Sequence, residues 1–179
     1  MEDWNVIISV KERGFTEAMN ALRRFGRVDR TDFYNVLVMR VDDINAFLEK
    51  LRERVSVKPD YLHFVSRLVP VTVTFFFTSP DEFEDRAGEA VMLWVPLLAG
   101  KKFHVRMHRR GFKGTLSSLD EERFLDTFIL KELGREGQTA RVSFEDPDYV
   151  IAVETLNDRA GLSLWSREEI KKYPFIRPD

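Results

Sequence analysis

The sequence predicts a mixed α/β (α+β) chain built as two domains, residues 1–69 and 70–179. Three observations carry that reading. Apolar runs and helix-spaced apolar faces alternate over residues 4 to 69 in the order strand, helix, strand, strand, helix, strand. Pro70 then marks a junction. Beyond it, a second series of strands and helices surrounds Lys101 to Lys113 (KKFHVRMHRRGFK), a run with no acid in it.

In the first domain, Asn5 to Val10 is a short apolar strand. A helix from about Phe15 to Phe25 presents Phe15, Ala18, Met19, Leu22 and Phe25, and Gly26 is its expected stop. Arg27 to Asp32 and Tyr34 to Val41 are strands around a turn. Asp42 or Asp43 caps a helix reaching about Val55, with Ile44, Phe47, Leu48 and Leu51 on its apolar face. Tyr61 to Val69 is the last strand. This order is the split βαβ, or ferredoxin-like, unit.

In the second domain, Val71 to Phe77 (VTVTFFF) is strongly strand-forming and could extend the preceding strand. Ser79, Pro80 and Glu82 form a helix start, with Ser79 as cap, Pro80 at the first helical position and Glu82 closing a capping box. Phe83, Ala87, Ala90, Val91 and Trp94 make that helix's apolar face, and Pro96 kinks or ends it. The basic strand follows. Ser118 with Glu121 reads as a second capping box, opening a helix to Leu133. Strands at Arg141 to Glu145, Tyr149 to Thr155 and Ala160 to Trp165 complete the pattern, with a Pro-Asp turn at 147–148.

Composition narrows the function. The chain has 179 residues, 44% of them hydrophobic, and a net charge of −2. Attraction of an anion must therefore come from a local patch rather than bulk charge. The absence of cysteine excludes disulfides, thiolate zinc sites and cysteine nucleophiles. No apolar window is long enough for a membrane span, and the start of the chain has no signal-peptide pattern, so a cytoplasmic protein is expected.

The local patch is the basic run itself. Six of the thirteen residues from Lys101 to Lys113 are Lys or Arg. Phe103, Val105 and Met107 alternate with His104, Arg106 and His108, which predicts a strand with one buried and one polar face. Such cations suit the phosphates of RNA or another polyanion; the same charges would also guard a sheet edge. His104 and His108 lie four apart on a strand, roughly 13 Å, too far to share one metal. No metal site, cofactor site or catalytic constellation is expected: the phosphate loop, the G-x-S-x-G elbow and H-E-x-x-H are all absent. The acids of Asp81 to Glu89 and Asp120 to Glu122 read as helix starts with a solvated face.

The second half resembles the THUMP domain, an RNA-binding module of tRNA-modifying proteins. The resemblance rests on SRLVPV at Ser66 to Val71, the helix from Ser79, FHVRMHRRG at Phe103 to Gly111, the helix Ser118 to Leu133, and RVSFEDPDYVIAVETLNDRAGLSL from Arg141 to Leu164. It implies tRNA binding, through the acceptor stem and CCA end, with a ferredoxin-like domain ahead of the THUMP module. Because no catalytic domain follows within the sequence, the chain is most similar to the stand-alone THUMP adaptor of tRNA acetylation. That adaptor is not an enzyme; it presents tRNA to a separate RNA cytidine acetyltransferase that forms N4-acetylcytidine. The alternatives are an RNA-binding fragment of a larger tRNA-modifying enzyme, of methyltransferase or thiouridine synthetase type, and a ferredoxin-like interaction module. The residues expected to touch RNA are Arg106, Arg109, Arg110 and Lys113, with Lys101, Lys102 and Arg141 nearby, and Arg67 at the end of the first domain.

Overall fold

The computed structural model describes residues 1–179 and divides into two compact units. The first comprises Met1–Pro70 with Ile170–Arg177. Its elements are β1 (Val6–Val10), α1 (Phe15–Leu22), β2 (Arg27–Arg30), β3 (Val36–Arg40), α2 (Ile44–Val57) and β4 (Val65–Pro70). The strands form one sheet in the order β2-β3-β1-β4, every neighbouring pair antiparallel. That is the ferredoxin-like arrangement that the order of elements predicts.

The central strands β1 and β3 are apolar at nearly every position because both are buried. Ala18, Met19 and Leu22 of α1 and Phe47, Leu48 and Leu51 of α2 supply the helical side of the core. Asp43 caps α2, its carboxylate accepting from the Ala46 amide at 2.8 Å. Gly26 has a different role from the expected helix stop, since α1 already ends at Leu22. A Cβ at Gly26 would lie 2.3 Å from the Arg40 carbonyl oxygen, so glycine is what lets the chain enter β2 hard against β3.

The fourth strand begins at Val65 rather than Tyr61; residues before it form turns, and the Tyr61 hydroxyl donates to the Ala21 carbonyl at 2.6 Å. The chain also returns to this unit near its end. Tyr173 and Ile176 are buried here, and Ile176 bridges Leu68 in parallel. The Lys172 ammonium lies 2.6 Å from Glu49, to which Tyr173 also donates, and these contacts hold the Glu49 carboxyl down at about 2. The sequence reading, with its boundary at 69, had these residues in the second domain.

The second unit comprises Val71–Glu169 with Pro178–Asp179. Its elements are β5 (Val73–Phe76), α3 (Pro80–Val91), α4 (Val95–Leu98), β6 (Lys102–His108), α5 (Ser118–Arg135), β7 (Arg141–Val142), β8 (Tyr149–Leu156) and β9 (Arg159–Ser166); a last helix, α6 (Arg167–Lys172), continues from β9. The sheet order is β5-β9-β8-β6-β7, with β6 parallel to both β8 and β7. VTVTFFF does not extend β4: it supplies β5, which pairs antiparallel with β9 in this second sheet. Phe77, Phe83, Val91, Phe103, Leu125, Ile129 and Ile151 form the centre of the core between helices and sheet.

Both helix starts follow the predicted chemistry with local shifts. Ser79 caps α3 by accepting from the Glu82 amide, while the Glu82 carboxylate accepts from the Thr78 amide at 2.8 Å, one residue before the cap. The cap of α5 is Ser117, which accepts from the Asp120 amide, and not Ser118. The acids of this helix start also differ from expectation. Glu121 and Glu122 lie on the buried face of α5 with Leu125, Asp126, Ile129 and Leu133, where the sequence suggested a solvated face.

Glu121 is only 4% exposed and its Oε2 has no hydrogen-bond partner. Burial, with Glu84 and Asp120 adding like charge, pushes its carboxyl up to about 7. Burial likewise raises Asp126 to about 7, against a stabilising hydrogen bond from the Val105 amide. Both acids hold protons in the folded state at a pH where the unfolded chain has released them. Stability should therefore fall as pH rises from about 4 to 7, by roughly 3 kcal/mol for each acid at most. Thermal unfolding at pH 5 and pH 8 checks this: Glu121→Gln should shrink the difference, and a wild type more stable at pH 8 than at pH 5 would contradict it.

Candidate nucleic-acid interface

Phe103, Val105 and Met107 of β6 are buried in the helical core, as the period of two requires. The strand is not an edge strand at its start, where Lys102 and Phe103 pair with Arg141 and Val142 of β7. β7 then stops. Past that point the Val105 amide donates to Asp126 Oδ1 at 3.2 Å and the Met107 amide donates to Glu122 Oε1 at 2.7 Å. The two acceptors are four apart on α5, hence on one helix face. Helix carboxylates thus complete a sheet edge whose buried amides would otherwise be unpaired.

The alternate face is less open than the sequence implies. His104 is 1% exposed. Its Nδ1 donates to the Ser143 carbonyl at 3.0 Å, and its Nε2 lies 2.7 Å from Asp179 Oδ1. Burial alone would lower the imidazole's pKa, but Asp179 and Ser143 outweigh it and the net shift is upward. The stability this contact supplies is present below the usual histidine range and is lost as pH rises through the raised value, the same sign as for Glu121 and Asp126. His104 in turn holds the Asp179 carboxyl below its ordinary range.

Most cations of the strand meet acids drawn from other elements. Lys102 pairs with Asp146, and its backbone amide donates to Asp148 at 2.9 Å. Arg106 lies 3.5 Å from Asp179 and 3.8 Å from Glu122. Arg110 donates to Glu154 Oε2 at 2.8 Å, and His108 lies 3.8 Å from Glu154 Oε1. Glu154 has no exposed surface at all. The polar face expected to be solvated is therefore largely neutralised and partly buried. Arg67 is on β4 of the first unit and 8% exposed.

Four of the expected residues keep their charge uncancelled. Lys101 and Arg141 are exposed neighbours at the start of β6, joined by the bond from the Arg141 amide to the Lys101 carbonyl at 3.0 Å. Arg109 and Lys113 sit in the loop after β6, where the Arg109 guanidinium donates to the neutral Gly111 carbonyl. The two pairs are separated by the length of the strand, roughly 20 Å. Their loop is fixed by a close approach: a Cβ on Gly111, at φ +99°, would sit 2.8 Å from the Asn157 Cα. The Asn157 amide also donates to the Arg110 carbonyl at 2.8 Å, locking the loop to the β8–β9 turn.

One further residue joins this surface. Phe144 follows β7 and is 59% exposed, although the sequence reading placed it inside a strand. The signal that could have found it is an aromatic set among turn-forming residues, SFEDPD at 143–148.

Residues 81–164 match the family profile of the THUMP domain, so this stretch, from the first turn of α3 into β9, is a THUMP domain. A tRNA sulfurtransferase of Vibrio campbellii is 25% identical over 171 residues, which take in 89% of this chain and 34% of that protein. The chain thus spans about a third of the length of this curated relative. Among solved structures, PH1313 of Pyrococcus horikoshii aligns over 89% of this chain and 53% of its own, with TM-score 0.63 and 14% identity. A 4-thiouridine synthetase in complex with RNA and ATP aligns over 92% of this chain and 42% of its own, with TM-score 0.54 and 17% identity. These two likenesses are of fold.

The division of the cations has a measurable consequence. Removing the Arg110 side chain leaves buried Glu154 without its guanidinium, so Arg110→Ala should destabilise the protein by about 2–3 kcal/mol. Arg109→Ala breaks only a bond to a half-exposed carbonyl and should change stability by roughly 0.5 kcal/mol. Chemical denaturation of the two variants checks this, and equal losses would contradict the division.

Proposed function

We propose that this chain is a tRNA-binding module, working as the RNA-binding portion of a tRNA-modifying enzyme of the thiouridine synthetase type. The observation that carries the reading is the THUMP domain at residues 81–164 together with cations left without acidic partners at both ends of its basic strand. Lys101, Arg141, Arg109 and Lys113 contact phosphates. Such contacts fix the position of a duplex without reading its sequence, and the bound end of the tRNA then sets the distance to the modified base. In this reading the chain contributes binding and geometry, not catalytic groups, and acts in the cytoplasm. No helix in it is long and apolar enough to cross a membrane.

The adaptor arrangement, in which the tRNA is handed to a separate RNA cytidine acetyltransferase, would use the same contacts. The sulfurtransferase relative lends its support to the enzyme-portion reading instead. Nucleoside analysis of tRNA from a strain lacking this gene separates the two: loss of 4-thiouridine is expected, and loss of N4-acetylcytidine alone would favour the adaptor. Binding is tested with intact tRNA and with tRNA lacking its CCA end. The expected result is salt-sensitive binding of intact tRNA that weakens about tenfold without the CCA end. Absence of binding to either would overturn the proposal.

A further inference from the structure

Phe144 is a large apolar side chain in a loop of polar residues, and more than half of it faces solvent. It is nonetheless held in place. Its ring packs on the His104 imidazole with centroids 5.2 Å apart and planes 36° apart. His104 is itself pinned at both ring nitrogens, by Ser143 and Asp179. The backbone on either side is tied down as well. The Ser143 amide donates to the Phe103 carbonyl at 2.9 Å, and the Asp148 amide donates to the Lys102 carbonyl at 2.8 Å. Arg167 clamps the same loop, donating to the Pro147 carbonyl at 3.0 Å and lying 2.8 Å from Asp146.

The result is an aromatic ring with one face against a buried imidazole and the other side open, on a loop that needs no ordering when a ligand arrives. Two uncancelled cations belong to the same stretch of backbone. Arg141 is three residues earlier on the same segment, and Lys101 is hydrogen-bonded to Arg141. Of the acids in the loop, Asp146 and Asp148 are engaged by Lys102 and Arg167, which leaves Glu145 as the single carboxylate without an ion pair. An ordered, exposed aromatic on a segment that also carries free cations suits an unpaired nucleobase: the ring stacks the base while cations follow its backbone.

We infer that Phe144 is the stacking platform for an unpaired base of bound RNA, with Arg141 and Lys101 holding the adjoining phosphates. The inference rests on the tRNA-binding reading above and adds to it a position for single-stranded RNA.

The test compares an RNA minihelix ending in an unpaired CCA with the same minihelix made blunt. Removing one stacking ring from under a base should cost binding, so Phe144→Leu should weaken binding of the CCA-ended RNA roughly tenfold. It should leave blunt-RNA binding, the salt dependence and thermal unfolding unchanged. Phe144→Trp should retain affinity, and its indole fluorescence should be quenched by the CCA-ended RNA alone. Equal binding of the CCA-ended RNA by Phe144→Leu and wild type would overturn the inference while leaving RNA binding intact; so would a parallel loss for both RNAs. Failure of the wild type to bind either RNA would overturn the tRNA-binding reading itself.

Discussion

The second unit depends on the neutralisation of its own basic strand. β6 runs inside the sheet, between β8 and β7, with residues too polar for such a place. A buried charge is tolerated only when it is paired and hydrogen-bonded. The chain meets that demand by bringing acids from several separate elements: Glu154 from β8, Glu122 from α5, Asp146 from the β7–β8 turn, and Asp179. The cations in the body of the strand are therefore committed to folding. Beyond its two ends Lys101, Arg141, Arg109 and Lys113 meet no acid, whereas Arg110, two residues past the strand, is tied to Glu154.

The same pairings link the strand to α5. Glu121, Glu122 and Asp126 lie on the same buried face of α5 as Leu125, Ile129 and Leu133. Two of these acids complete the edge of β6, and the third has one oxygen buried without a partner. The buried face of α5 thus gives the strand its missing acceptors. It also leaves carboxyl groups that titrate near neutrality, alongside a buried histidine with a raised pKa. All three shifts favour the protonated forms in the folded state, which sets the sign of the unit's pH dependence.

Much of the fold is legible in the sequence because it is local. The apolar spacing in α1 and α2, the Asp43 cap, the Ser79-Pro80 start and the alternation in β6 each depend on residues a few positions apart. The order of elements then fixes the ferredoxin-like unit and the succession of strands and helices in the THUMP domain. What could not be read is non-local. Arg110 and Glu154 are 44 residues apart, His104 and Asp179 are 75 apart, and no periodicity announces either pair. An acid-free run therefore looked like an exposed basic surface. Tyr173 and Ile176 looked like a tail because their burial depends on Glu49 and Leu68, far back in the chain. Of the eight residues expected to touch RNA, Lys101, Arg109, Lys113 and Arg141 keep their charge available, Lys102, Arg106 and Arg110 are tied to acids, and Arg67 lies on the first unit's sheet.

The proposed binding mode has RNA held by Lys101, Arg109, Lys113 and Arg141 around the ends of β6 and not by the cations within it. The direct measurement is tRNA affinity as a function of salt for the wild type and for a variant with Lys101, Arg109, Lys113 and Arg141 all changed to alanine. Each phosphate contact contributes about 0.7–0.9 to the slope of log affinity against log salt. The variant should fold normally and lose roughly three units of that slope. A folded variant with the wild-type slope would contradict it.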